Sequence, residues 1–182
     1  MLVPELIQKC LKKDPSAQRE LVGLFAPMML SISRRYVQDD GLAYDVLQES
    51  WINIFQHIET FNAALGSFEG WISRIVVNQS LKELRRRKGK YISEINQIPE
   101  HYVDEPEVYS QLETETLFRL ILQLPDGCRE IFNLYVMEQF AHKEIAALLN
   151  ISEGTSRSQL NRARNLLRNK IEQITYSKAK AV

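Results

Sequence analysis

Lys143–Arg164 reads KEIAALLNISEGTSRSQLNRAR, with apolar residues spaced as in two consecutive helices. Ile145, Leu148 and Leu149 fall on one side of a first helix, and Ala146 is small enough to let another helix close on it. Asn150 stands where a tight turn requires a left-handed backbone, which asparagine tolerates better than most residues. Ile151 can plug a core, and Ser152 is a good N-cap for a second helix. Glu153 follows at the end of the helix dipole that favours negative charge. On that second helix Ser156, Leu160, Ala163, Leu167 and Ile171 recur at spacings of four, three, four and four, a stripe that predicts burial. The opposite side carries Arg157, Ser158, Asn161, Arg162 and Asn165. The stretch therefore predicts a helix-turn-helix whose second helix has a basic, amide-bearing outer face. Arginine can bond guanine bidentately and asparagine can do so with adenine, so this face has the chemistry to read a major groove. The alternative is the solvated side of an ordinary amphipathic helix.

Helical spacing continues on either side, and alternating strand patterns are almost absent. Toward the C-terminus the second helix is expected over 153–174 and the first over 142–149. Ahead of them, Leu112 to Leu124 reads as a helix, and Pro125-Asp126-Gly127 opens another over Ile131, Phe132, Leu134, Tyr135 and Met137. From Tyr91 to about Val108 the periodicity fails, Pro99 and Pro106 interrupt, and acidic residues dominate. Farther back, FEGWISRIVVNQSLKELRRRKGK (68–90) and Gly41 to Ile58 have helical spacing. A helix from Pro15 is expected to carry Leu21, Leu24 and Phe25, with a kink at Pro27 before Met28, Leu30, Ile32 and Tyr36. A first helix carries Leu6, Ile7 and Leu11 and stops at Asp14-Pro15. The fold class is all-α: two small helical domains, 1–92 and 112–182, joined by a flexible acidic linker over 93–111.

Charge sharpens the division. The chain has 182 residues with no formal net charge, yet 71–90 holds 7 basic residues against 1 acidic and 142–170 holds 6 against 2. Between them, 91–120 holds 1 basic against 7 acidic. Two basic blocks fit two nucleic-acid contacts on one chain, or two solvated helix faces. Cys10 and Cys128 are too far apart for a metal-binding or redox CxxC pair, and no disulfide framework is available. His57, His101 and His142 are isolated, and neither a phosphate-binding glycine loop nor a nucleophile–base motif appears. Asp39, Asp40 and Asp45 have the chemistry to bind a cation, and adjacent acids at a helix start such as Asp39 and Asp40 more often serve as caps. No catalytic residue, metal, cofactor or small-molecule substrate is expected. The start turns charged too early for a signal peptide, and no run reaches the ~18 apolar residues of a membrane span. The expected home is the cytoplasm.

Residues 122–168, with Leu124-Pro125, Arg129, Glu144-Ile145-Ala146, Ile151-Ser152, Gly154-Thr155, Arg162-Ala163-Arg164 and Leu167-Arg168, closely resemble region four of bacterial RNA polymerase sigma factors, in the small extracytoplasmic-function group. The resemblance implies that this unit binds the upstream promoter element. It gives Arg157, Ser158, Asn161 and Arg162 the DNA-facing positions, and Arg164 and Arg168, read as lying off that face, go to phosphate. The sequence departs from the family pattern at Ala141, where a capping serine or threonine is common, at Ser156 for a usual valine and at Gln159 for a usual basic residue.

The first domain carries a second resemblance. On the third helix Leu47, Trp51, Ile54 and Ile58 fall together as the expected core side, while Asp45, Gln48, Glu49 and Ile52 fall nearly opposite. DVLQESWINIF (45–55) resembles the region-two helix that docks on the clamp of the polymerase's largest subunit, which implies core-polymerase binding through that opposite face. In the segment that follows, Phe61, Phe68 and Trp71 suit a helical core. Phe61, Asn62 and the loop to Ser67 also resemble the segment that captures a flipped base of the melted promoter strand. The resemblance assigns promoter melting and the downstream element to Phe61, Asn62, Ser67, Trp71, Asn78, Arg85 and Arg86. Lys82 replaces a common aspartate. The whole is identified as a sigma factor of this group: a promoter-specificity subunit with core RNA polymerase, promoter DNA and a membrane-associated anti-sigma factor as implied partners.

Overall fold

The computed structural model describes residues 2–88 and 114–180. The expected linker over 93–111 lies outside them. Every regular element among the described residues is helical. The chain divides into two compact units, Met1–Ser93 and Glu94–Val182.

The first unit contains α1 (Val3–Leu11), α2 (Pro15–Tyr36), α3 (Asp40–His57), a 3₁₀ turn (Ile58–Thr60) and α4 (Phe68–Lys88). Local chemistry sets the boundaries. The Asp14 carboxylate accepts from the Ser16 N–H at 2.8 Å, and Pro15 occupies the first turn of α2, where its missing donor costs nothing. Asp39 caps α3 by accepting from the Leu42 N–H at 2.9 Å. The hydroxyl of Ser67 caps α4, accepting from the Gly70 N–H at 3.0 Å. Pro27 does not interrupt α2, which runs through it. Pro27 is exposed, and so is Gly23, the residue whose carbonyl loses its helical donor there.

Helices α2, α3 and α4 pack on one another, and α1 packs on α2. Leu6, Leu21, Met29, Ile54, Ile72 and Leu81 are fully buried among them. The Ser33 hydroxyl donates to the Leu30 carbonyl at 3.0 Å and reaches the Ala43 carbonyl at 3.3 Å, holding α2 against α3. The inward residues differ from expectation by one position in several places. Cys10 is buried and Leu11 is 40% exposed; Met29 is buried rather than Met28; Leu24 is 53% exposed. On α3 the buried side is Ala43, Val46, Ser50, Trp51 and Ile54, with Leu47 only half-buried. A helix buries a stripe, and its centre is set by the neighbouring helices rather than by which apolar residue is larger.

The second unit contains α5 (Thr114–Leu122), α6 (Asp126–Phe132) running into a π-helical turn (Asn133–Met137), α7 (His142–Leu149) and α8 (Glu153–Lys180). Arg129 is 2% exposed and ties α6 to the connection just before it, donating to the Leu124 carbonyl at 2.8 Å and to Asp126 at 2.7 Å. Asn150 adopts the left-handed backbone expected of it, with φ 55° and ψ 50°. The Ser152 hydroxyl accepts from the Thr155 N–H at 2.9 Å, capping α8. Ala141 supplies no side-chain cap to α7, but the Glu144 carboxylate turns back to accept from its N–H at 2.8 Å. Ser156, Leu160, Ala163 and Leu167 form the buried stripe of α8, and Ile171 is half-buried. The helix extends six residues past the expected end at 174.

Candidate nucleic-acid interface

On α3, Asp45, Gln48, Glu49 and Ile52 face outward, and Ile52 keeps 51% of its surface in solvent. They make one continuous outward face because the other side of the helix is committed to the core. Tyr44, 49% exposed, extends it. Arg34 approaches the Tyr44 ring at 5.9 Å and pairs with Asp40 at 2.9 Å, so the start of this face is braced from α2. Sequence reasoning passes over Tyr44; its place four residues before Gln48 is the signal that finds it.

Phe61 is half-buried, not presented at a loop tip. It meets the Phe68 ring edge-on at 5.1 Å and the Trp71 ring at 5.8 Å, and Phe68 also meets Phe25 of α2 at 5.5 Å. Trp71 is half-buried in the same cluster. The exposed part of the segment is the loop beyond it. Asn62 folds back, its side chain accepting from the Ala64 N–H and its carbonyl from the Leu65 N–H, both at 3.0 Å. Gly66 has φ +151°, a conformation that side-chain-bearing residues rarely adopt. The result lifts Leu65 out of the protein with 87% of its surface exposed, beside the exposed Asn62 and Ser67.

On α4, Asn78, Arg85 and Arg86 are exposed. Arg74 and Lys82 are exposed as well, and Arg74, Asn78, Lys82 and Arg85 recur at four, four and three, which puts them on one side of the helix. Arg86 pairs with Glu83 at 2.9 Å. Lys82 thus adds a positive charge to the outward side of α4.

On α8, Arg157 is exposed, and Ser158 and Asn161 are half-buried. Arg162 is exposed on the neighbouring row. Arg157 is held by Glu153 one turn earlier at 2.9 Å. Arg164 and Arg168 are half-buried and do not stand apart as expected. With Arg157 and Asn161 they recur at four, three and four along one row, while Ser158, Arg162 and Asn165 form the neighbouring row. Arg164 lies over the Tyr135 ring at 5.9 Å. Gln159 turns inward, accepting from the Cys128 thiol at 3.0 Å. Burial raises the pKa of that thiol, against the opposing influence of Arg162. His142 stacks on Tyr135 and meets Ser156, a contact invisible to spacing because its partners sit on two other elements. No cluster of three or more His, Cys, Asp or Glu suited to a metal occurs among the described residues. No helix among them is long and apolar enough to cross a membrane.

Two family models match this chain. Sigma-70 region 2 matches residues 21–90, and Sigma-70 region 4 matches residues 114–167. An ECF RNA polymerase sigma factor, SigW of Bacillus subtilis, is 25% identical, with the match covering 96% of this chain and 99% of the relative. An ECF RNA polymerase sigma-E factor of Haemophilus influenzae is 29% identical, over 92% of this chain and 94% of the relative. Among solved structures, the sigma factor RpoE in complex with the anti-sigma factor NepR, from Bartonella quintana, shares the fold with a TM-score of 0.54. It is 19% identical, over 85% of this chain and 96% of that one. Region 2 lies ahead of region 4, the two models take in 70 and 54 of the 182 residues, and the relatives align over nearly their full lengths. The chain belongs to the sigma-70 family, as an extracytoplasmic-function sigma factor.

Proposed function

We propose that this chain is the promoter-specificity subunit of RNA polymerase, acting through three surfaces. The exposed side of α3, centred on Asp45, Gln48, Glu49 and Ile52, docks on the clamp of the polymerase's largest subunit. The loop from Asn62 to Ser67, with Leu65 at its tip, meets the melted strand of the downstream promoter element, and the Phe61–Phe68–Trp71 cluster is the rigid base under that loop. The outward side of α4, with Asn78, Arg85 and Arg86 joined by Arg74 and Lys82, follows the adjoining backbone. In the second unit, Arg157, Ser158, Asn161 and Arg162 read the upstream element, and Arg164 and Arg168 hold phosphate. Residues 1–92 and 112–182 are the two working domains, and 93–111 is the tether.

The observation that carries this reading is that both sigma-70 regions occur in one chain, in order. A stand-alone DNA-binding regulator would use the helix-turn-helix and leave the α3 face without a role. Catalysis belongs to the polymerase; this subunit is no enzyme, and it works in the cytoplasm. An anti-sigma factor is the regulatory partner, a reading supported by the fold shared with RpoE bound to NepR. Run-off transcription on genomic fragments with purified core polymerase is the test. Discrete transcripts that require the chain support the reading, and core polymerase giving the same products with and without it refutes it.

A further inference from the structure

The first turn of α8 carries an acid on the side that the proposed reading gives to DNA. Glu153 is the first residue of that helix, directly after the Ser152 cap. It heads the row that continues through Arg157, Asn161, Arg164 and Arg168, at spacings of four, four, three and four. Its Oε2 accepts from Nη2 of Arg157 at 2.9 Å, and the side chains of Glu153 and Arg157 are 42% and 46% exposed. The pair therefore forms at the surface, where both members remain open to a ligand. An exposed pair one helical turn apart adds little to the stability of its helix. A carboxylate in a basic row also weakens attraction to the phosphate backbone, so charge attraction to DNA does not account for it.

Both members lie at the end of the helix that a helix-turn-helix presents to base edges. The guanidinium fork gives one donor to Glu153 and keeps the rest, and the carboxylate keeps its other oxygen as an acceptor. Donors beside an acceptor match one kind of base-pair edge. Guanine offers the neighbouring acceptors N7 and O6, and its partner cytosine offers the N4 donor next to them. An adenine–thymine pair offers acceptor, donor and acceptor in that order, which sets Glu153 against the thymine O4. Two acceptors pressed together in a closed interface lose water and gain no hydrogen bond in return.

We propose that Glu153 and Arg157 act as one unit that selects a G·C pair in the upstream element. Arg157 bonds the guanine, and Glu153 accepts from the cytosine N4 while fixing the guanidinium. This rests on the reading that the second unit binds that element. It adds to the DNA-facing set a residue whose charge is opposite to the rest, and whose contribution is to reject wrong pairs.

The test uses the chain assembled with purified core polymerase, on a promoter recovered by run-off transcription and on its single-base-pair variants through the upstream element. Initiation by the wild type should fall about tenfold when one particular G·C pair is replaced. Glu153→Gln, similar in size but uncharged and able to donate, should lose most of that discrimination. Glu153→Asp keeps the charge that favours a helix start but falls one methylene short of Arg157. It should melt like the parent and lose the same discrimination. Arg157→Ala should lose it at the same base pair, and adding Glu153→Gln to Arg157→Ala should change the preference no further. The proposal is overturned if the Glu153 variants keep the wild-type preference, lose it at a different base pair from Arg157→Ala, or weaken every promoter alike as a purely structural residue would. A wild type that discriminates in the element but at no G·C pair overturns the proposal alone. One that is indifferent to every base pair of the element overturns the DNA reading and the proposal with it.

Discussion

Reversing Asp45 and Glu49 to lysine together isolates the docking face from the fold beneath it. Both side chains point outward on α3, and neither belongs to the buried side formed by Ala43, Val46, Ser50, Trp51 and Ile54. They stand four apart, so the helix already carries a like-charge pair, and two lysines replace it with another of similar cost, ~0.2–0.5 kcal/mol. The attraction Asp45 exerts on Arg86 is lost, but both are solvent-exposed and screened. The double variant should therefore fold within about 0.5 kcal/mol of the parent. Binding is another matter. Two lysines set against a polymerase surface that receives two carboxylates cost several kcal/mol, and ~3 kcal/mol is roughly a hundredfold or more in Kd. Trp51→Ala gives the contrasting result. That ring is 8% exposed and stacks on Phe55 at 5.4 Å, so its loss should destabilise the unit by about 3–5 kcal/mol. The assays are thermal unfolding by circular dichroism and titration of labelled chain with core polymerase at two salt concentrations. A double-lysine variant with a native melt and parental affinity would refute the docking assignment.

Three further outcomes are expected. Replacing Leu65 with serine should weaken open-promoter formation while leaving core-polymerase affinity unchanged, because 87% of its surface already lies in solvent; permanganate footprinting of the melted strand reads the first quantity, and an unchanged footprint removes the loop from promoter opening. Arg162→Ala should cost ~1–3 kcal/mol and relax preference at one base pair if the guanidinium reads a base, measured by binding to single-base promoter variants; uniform weakening with a shallower salt slope makes it a phosphate contact instead. Cys10 and Cys128 are buried, and burial raises the pKa of both thiols, with Asp14 adding to the rise at Cys10. Both should resist iodoacetamide at neutral pH until denaturant is added, and mass spectrometry showing fast native alkylation would contradict their placement.

Much of the candidate site is legible in the sequence because its signals are local. Asn150 and Ser152 mark a turn and a cap through their own backbone preferences, and the structure has both in those roles. The outward residues of α3 follow from spacing alone, because a helix places every residue at a fixed angle to its neighbours. The same logic errs where an angle has to be measured from the core. Spacing sets Arg164 and Arg168 off the reading face only when that face is centred on Arg162; the row they share with Arg157 and Asn161 follows from the same periodicity.

The helical class, the division in two, the start of most helices and the family motifs can all be read along the chain, since periodicity, capping and motif spacing act over a few residues. Which way the ambiguous side chains point is settled by packing between helices. Cys10 rather than Leu11 faces inward, and Phe61 joins Phe25, Phe68 and Trp71 while Leu65 is left in solvent. The same holds for the polar joint of His142 with Ser156 and the thiol contact of Cys128 with Gln159. Each depends on a partner from another helix, and a pairing between helices leaves no trace in the spacing along either one.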